Sequence, residues 1–213
     1  MSAEETARML LDIKAVSLKP KAPFRYASGI LSPVYCDNRL LMGYHDKRAR
    51  IRDLFIEKIK EQGLKFDVIA GTATAGIPHA AWIADKLGMP MIYIRGGAKD
   101  HGKQNQIEGP LENGQRVLVI EDLISTGGSS VAAVDAVRKA GGEVAACIAI
   151  FTYEMQKAKD KFAEAGCPCY TLSDLSTLIN VAADYGYIKP EEKDILLAWN
   201  KAPADWGKKQ GFE

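Results

Sequence analysis

From residue 67 to residue 171 the chain alternates short apolar runs rich in β-branched residues with longer stretches of mixed apolar and polar positions. Strand–helix–strand units winding a parallel sheet leave this pattern. The apolar runs predict five strands, at 67–71, 91–95, 116–121, 144–151 and 168–171. Helices fit at 77–87, 129–140 and 154–165; in the second, Val131, Val134 and Val137 mark one face, and Gly141 with Gly142 supplies a stop. Ahead of the sheet, 3–14 and 46–62 read as helices, the latter with Ile51, Leu54, Phe55 and Ile59 along one side. Between them, 24–39 (FRYASGILSPVYCDNR) reads as irregular strand and turn. After the sheet, 174–185 and 190–200 read as helices, and the polar tail from Gly207 as frayed. The expected fold is therefore α/β, a central parallel sheet of about five strands flanked by helices. A single domain is expected, in three parts: N-terminal helices and irregular segment (1–66), sheet core (67–171), and C-terminal helices and tail (172–213).

The alternation fails once. Residues 95–109, RGGAKDHGKQNQIEG, stand where a helix should link two strands, yet only Ala98 and Ile107 are apolar and four residues are glycine. A long connection without its own structure inside a compact domain is usually functional, and a mobile active-site lid is expected here. Lys99 and His101 are its functional candidates, since no core could hold them. His79 reads as structural, His45 beside Asp46 as part of a helix cap, and Trp82, Trp199 and Trp206 as packing residues.

Composition narrows the function classes. Across 213 residues, 28 Lys and Arg against 27 Asp and Glu leave a net charge of +1, which gives no basic face for nucleic acid. The most apolar run, 144–151 (VAACIAIF), is too short to span a bilayer. The opening MSAEETARML carries glutamates where a secretory signal carries positive charge, so a cytoplasmic protein is expected. Cys36, Cys147, Cys167 and Cys169 form no CxxC pair and have no His at metal-ligand spacing, so neither a zinc site nor a disulfide framework is expected.

Chemistry concentrates in 117–130, VLVIEDLISTGGSS. Four apolar residues of a buried strand lead into two carboxylates, Glu121 and Asp122, and then a Thr-Gly-Gly-Ser turn onto a helix. Amides of Thr126, Gly127, Gly128 and Ser129 at that helix start would favour a phosphate, helped by the helix dipole. The glycines allow close approach of backbone to anion, and the turn lies beyond the carboxyl end of a central strand, where ligands bind in open α/β sheets. The paired carboxylates could accept hydrogen bonds from neighbouring sugar hydroxyls. A dinucleotide GxGxxG is absent, and the nearest P-loop match, Gly97, Gly102 and Lys103, is followed by Gln104 and sits in the loop.

This segment resembles the 5-phosphoribosyl 1-diphosphate (PRPP) motif of the type I phosphoribosyltransferases. Together with 24–39, the Lys99-Asp100-His101-Gly102 loop and 71–78 (GTATAGIP), the chain is similar to the orotate phosphoribosyltransferases from Phe24 to about Tyr185. The resemblance implies a type I phosphoribosyltransferase fold with a small N-terminal hood. It further implies transfer of phosphoribose from PRPP to orotate, with Mg2+ carried by PRPP, in a homodimer with shared active sites. It implies PRPP contacts from Arg95, Lys99, His101, Glu121, Asp122, Leu123, Ile124, Ser125, Thr126, Gly127, Gly128 and Ser129. Lys99, His101 and Asp122 would be the catalytic residues, and no protein metal ligand is expected. Backbone of Thr72, Ala73, Thr74, Ala75 and Gly76 would meet the pyrophosphate; Ser125, with backbone near Tyr35 and Cys36, would meet orotate. Ala27, Ala75 and Gly96 stand where several members carry lysines, and 151–157 (FTYEMQK) lacks an arginine that those members aim at orotate. Two other readings stay open on the residues: transfer to another base, and a PRPP-sensing regulator on the same fold.

Overall fold

Val117, Leu118, Val119 and Ile120 are fully buried, as a parallel strand covered by helices on both faces requires. Around them a computed structural model describes residues 2–26, 29–97 and 106–212. Helix α1 (Ser2–Asp12) leads into four short strands, β1 (Val16–Leu18), β2 (Phe24–Arg25), β3 (Leu31–Ser32) and β4 (Val34–Cys36), then a 3-10 turn (Asn38–Gly43) and α2 (His45–Glu61). The core runs β5 (Val68–Thr72), α3 (Gly76–Leu87), β6 (Met91–Ile94), β7 (Ile107–Glu108), β8 (Arg116–Ile124), α4 (Gly128–Lys139), β9 (Glu143–Thr152), α5 (Gln156–Glu164) and β10 (Cys169–Asp174). Helices α6 (Leu175–Asp184), α7 (Lys193–Lys201) and α8 (Pro203–Lys209) follow, with a 3-10 turn (Pro190–Glu192) ahead of α7.

The main sheet has the order β10-β9-β8-β5-β6-β7 and is parallel except for β7. The chain builds outward from β5 to one edge, then returns to β8 and builds toward the other. Between β5 and β8 the order reverses, so the loops leaving their carboxyl ends diverge and open a crevice. Alternate residues of β8 serve opposite faces. Leu118 and Ile120 join the cluster formed with α1, α2, α3, α6 and α7, whereas Val117 and Val119 join the one formed with α4 and α5. Two antiparallel pairs, β1 with β4 and β2 with β3, make the hood. Trp199 of α7 ties it down, its indole N–H donating to the carbonyl of Leu31 at 3.1 Å.

The structure corrects several sequence expectations. The sheet has six strands, because β7 pairs antiparallel with β6 where 95–109 reads as loop throughout. Two apolar-polar residues are too short a run to register as a strand. Helix α5 starts at Gln156 rather than 154, since Glu154 adopts φ 57° and its carboxylate accepts from the N–H and hydroxyl of Ser176. The tail is not frayed at Gly207: α8 passes through it, Trp206 is buried, and its ring stacks on Phe212. The residue capping α2 is Tyr44, not His45, whose exposed ring meets Asp46.

Candidate active site

The turn after β8 folds as its glycines dictate. Gly127 has φ +74°, and a Cβ there would also crowd the Cα of Ala158 on α5 at 3.1 Å. That left-handed residue starts α4 at Gly128 without a side-chain cap, so the first-turn amides have no intrahelical acceptor. The opposite loop leaves β5 at Thr72 and enters α3 at Gly76. A methyl on Gly76 would overlap the carbonyl oxygen of Ile120 and the hydroxyl of Thr72. Only glycine lets this loop lie flush against β8.

Between the two loops sits the carboxylate pair. Glu121 is buried, and its Oε1 accepts from the Thr72 hydroxyl at 2.7 Å and the Asp122 N–H at 3.0 Å, while Oε2 accepts from the Ser130 hydroxyl at 3.1 Å. One side chain thus locks β5, β8 and α4 together. Burial pushes the Glu121 carboxyl up to about 7 and lifts Asp122 above its ordinary range. Asp122 is less buried and lies at the crevice; its carbonyl accepts from Asn38 Nδ2 at 2.7 Å, fastening the hood to β8.

These elements enclose a cleft of about 550 Å³. Of the sequence-predicted residues it is lined by Cys36, Thr72, Ala73, Thr74, Ala75, Arg95, Glu121, Asp122, Leu123, Ser125, Thr126, Gly127 and Ser129. Tyr35, Gly76, Ile124 and Gly128 are not in that lining: Tyr35 is exposed against Phe24, and Gly76 and Ile124 are buried behind the loops. Lys99 and His101 lie outside the described residues. Gly96 and Gln106, from the two ends of the expected lid, also line the cleft, as do Asp37 and Arg39, to which the sequence pattern assigns no role. The one sequence signal for Asp37 and Arg39 is their i, i+2 spacing, which lets Asp37 accept from the N–H of Arg39 at 3.2 Å and from its Nε at 2.6 Å.

Ser125 and Thr126 also border an adjoining hollow of about 430 Å³, whose apolar surface comes from Tyr26, Ile30, Met155 and Trp199. Tyr26 is held there by its hydroxyl, which donates to the carbonyl of Val34 at 2.7 Å. Burial pushes the Cys36 thiol well up, and its Sγ donates to Asn38 Oδ1 at 3.3 Å. His79 packs between Phe55 and Trp82, and burial lowers it to about 4, the state of a neutral core imidazole. Among the described residues no helix is long and apolar enough to cross a membrane.

Comparison with known proteins places this geometry. Residues 44–182 match the family described as Phosphoribosyl transferase domain. The chain is 56% identical over 204 residues to the orotate phosphoribosyltransferase of Coxiella burnetii, covering 96% of this chain and 98% of that one. Its structure is similar to that of the orotate phosphoribosyltransferase from Aeropyrum pernix, with TM-score 0.74 and 28% identity over 85% of this chain and 98% of the other. It is likewise similar to the Mycobacterium tuberculosis orotate phosphoribosyltransferase in complex with PRPP, with TM-score 0.66 and 26% identity over 84% of this chain and 99% of that one.

Proposed function

Since the chain belongs to the orotate phosphoribosyltransferases, we propose that its cleft is divided among the parts of that reaction's substrates. The protein transfers the 5-phosphoribosyl group of PRPP to orotate, giving orotidine 5'-monophosphate and pyrophosphate in pyrimidine biosynthesis. The observation that carries the division is the meeting, at one switch point, of a helix-start turn, a carboxylate pair and a second glycine-entered loop. The turn Thr126, Gly127, Gly128, Ser129 takes the 5-phosphate, with backbone of Leu123 and Ile124 leading into it. Asp122 faces the ribose hydroxyls, and Glu121, fixed by Thr72 and Ser130, orients it from behind. Backbone of Thr72, Ala73, Thr74, Ala75 and Gly76 meets the pyrophosphate, joined by Arg95, Lys99 and His101 of the lid. Ser125, with the hood backbone at Tyr35 and Cys36, meets the pyrimidine.

The chemistry follows from that placement. The bond from the anomeric carbon to the diphosphate oxygen breaks as a ring nitrogen of orotate attacks from the opposite face, through an oxocarbenium-like transition state of the kind glycoside hydrolysis uses. Deprotonated orotate is already nucleophilic, so no covalent intermediate with the protein is required. Charge builds on the departing pyrophosphate, and preorganised donors aimed there contribute roughly 3 to 4 kcal/mol each if comparable to oxyanion-hole groups. Closing the lid excludes the water that would otherwise hydrolyse PRPP. Magnesium enters as part of the substrate, chelated by PRPP; the carboxylate oxygens of the cleft are the hard donor type it accepts, and among the described residues no cluster of three His, Cys, Asp or Glu is built to hold an ion independently.

In this reading residues 1–213 act as one phosphoribosyltransferase domain in the cytoplasm, paired as a homodimer in which each lid serves the neighbour's cleft. With Mg2+, PRPP and orotate, equal amounts of orotidine 5'-monophosphate and pyrophosphate are expected, and Asp122→Asn lowers that rate at least about tenfold, roughly 1.4 kcal/mol, without a large loss of melting temperature. Hydrolysis of PRPP without nucleotide formation would refute the division. Sharing is tested by refolding Lys99→Ala and Asp122→Ala chains together: about half the dimers are mixed, each with one intact site of two, so about a quarter of wild-type activity returns. No gain despite mass-tagged subunit exchange would mean that each lid closes over its own cleft.

A further inference from the structure

PRPP brings several negative charges into a cleft whose described charged side chains are three carboxylates, Asp37, Glu121 and Asp122, and two guanidiniums, Arg39 and Arg95. Arg95 lies 3.6 Å from Glu108 on the neighbouring strand β7. Arg39 is the more open of the two, with 60% of its side chain exposed against 33%. Its Nε and Nη2 donate to the two oxygens of Asp37 at 2.6 and 2.8 Å. That fork-on-carboxylate geometry is the one a guanidinium also presents to a phosphate. The residue between them, Asn38, is buried and bonded to the carbonyl of Asp122, so the backbone that carries Arg39 is registered against the ribose side of the cleft. An exposed ion pair contributes little, so Arg39 can exchange Asp37 for a more highly charged partner at small cost.

We propose that Arg39 is a substrate-binding residue of this reaction, a guanidinium that Asp37 holds ready and that transfers to the diphosphate of PRPP. The inference rests on the division of the cleft given above and names a contact that division lacks. Arg39 lines the cleft together with Thr72, Ala73, Thr74 and Ala75, the loop assigned to the diphosphate. Cys36 and Ser125, assigned to the pyrimidine, line the same cleft, while the adjoining apolar hollow beside Ser125 has its own cations, Lys157 and Lys201, for an acidic base.

The test separates binding from pairing. In the full-length protein, KM for PRPP and for orotate, KM for pyrophosphate in the reverse reaction, and direct PRPP affinity by titration calorimetry without orotate are measured for wild type, Arg39→Gln, Arg39→Lys and Asp37→Asn. Arg39→Gln is expected to raise both KM for PRPP and KM for pyrophosphate at least about tenfold, the effect of losing one charge-assisted partner of a phosphate. KM for orotate stays within about twofold, and Arg39→Lys falls between. Asp37→Asn keeps an acceptor for the 3-10 turn, removes a negative charge and frees the guanidinium, so it lowers KM for PRPP. If Asp37→Asn instead reproduces the loss in Arg39→Gln, the pair is only structural; if KM for orotate rises alone, Arg39 reads the base. Either result overturns the proposal. Should Arg39→Gln melt early, the Arg39→Lys and Asp37→Asn affinities decide. A wild type that binds PRPP but does not consume orotate would refute the parent reading, while the calorimetric comparison would still judge Arg39.

Discussion

The two sides of the cleft are built in opposite ways. Its floor, the ends of β5 and β8 with the turn onto α4, is backbone at the carboxyl edge of the sheet's buried central strands, cross-braced by Glu121 to Thr72 and Ser130. Its hood, β1 to β4 and the 3-10 turn, is two strand pairs of two or three residues each; Val16, Leu31, Val34 and Leu41 pack into the main apolar core, and its polar ties are single side chains: Asn38 to Asp122, Tyr26 to Tyr153 at 3.3 Å, Trp199 to Leu31. Backbone braced from three elements gives a fixed receptor for phosphates, which every phosphoribosyl donor shares. Among the described residues the hood shares no strand ladder with the main sheet, so its contacts can be shaped to one particular base without disturbing the floor. Under the proposed division the difference assigns the phosphate and ribose contacts to the floor, and base choice, with the Arg39 guanidinium offered to the diphosphate, to the hood.

The strongest way to break the floor is Gly76→Ala. Its methyl meets backbone at Ile120, which cannot swing aside, so α3 must shift from β8 and draw Thr72 off Glu121. Denaturant titration is expected to show a loss of roughly 1 to 3 kcal/mol, with kcat/KM falling further than that loss explains. Wild-type activity in this variant would mean the loop need not lie flush on β8.

An effect of similar size on stability, but smaller on kcat/KM and differently aimed, is expected from Trp199→Phe. The carbonyl of Leu31 loses its buried donor, costing about 1 to 3 kcal/mol, and the hood loosens while the floor stays braced. KM for orotate should rise several-fold and KM for PRPP less, the latter only through Arg39 on the same hood. Equal rises in both would dissolve the separation between floor and hood.

The smallest effect is a slope against pH. Burial lifts Glu121 from 4.5 to about 7 in the fold, so the native chain holds its proton more tightly than the unfolded one between those values. The resulting stabilisation is full below the unfolded pKa and is lost as pH rises through about 7. Glu121→Gln, which stays neutral, should therefore gain in melting temperature relative to wild type between about pH 5 and pH 8. A difference that stays flat with pH would show that Glu121 is ionised throughout.

Floor and hood also differ in how far they are legible in sequence. Most of the floor is contiguous: an apolar strand, two carboxylates and a Gly-Gly turn fall within 117–130, and periodicity plus turn chemistry identify them. What that stretch does not reveal is how the pair is braced. Both carboxylates read as sugar ligands and both line the cleft, and Glu121 in addition accepts from Thr72 on β5 and Ser130 on α4, partners invisible to local pattern. The hood's strands are too short for any period, so the presence of Asp37 and Arg39 in the cleft depends on the Asn38 anchor to a residue 84 positions away. The tail misleads for a related reason: its charged residues suggest solvent, but Gly207 packs on the hood at Leu31 and Trp206 is buried beside it.

The separation between a general floor and a selective hood is tested most directly by presenting the protein, with Mg2+ and PRPP, with orotate, uracil, adenine, hypoxanthine and nicotinate in separate reactions, and measuring pyrophosphate release alongside PRPP affinity without a base. Tight PRPP binding in every case, with turnover confined to orotate, is the expected result. Turnover of a purine but not of orotate would contradict it.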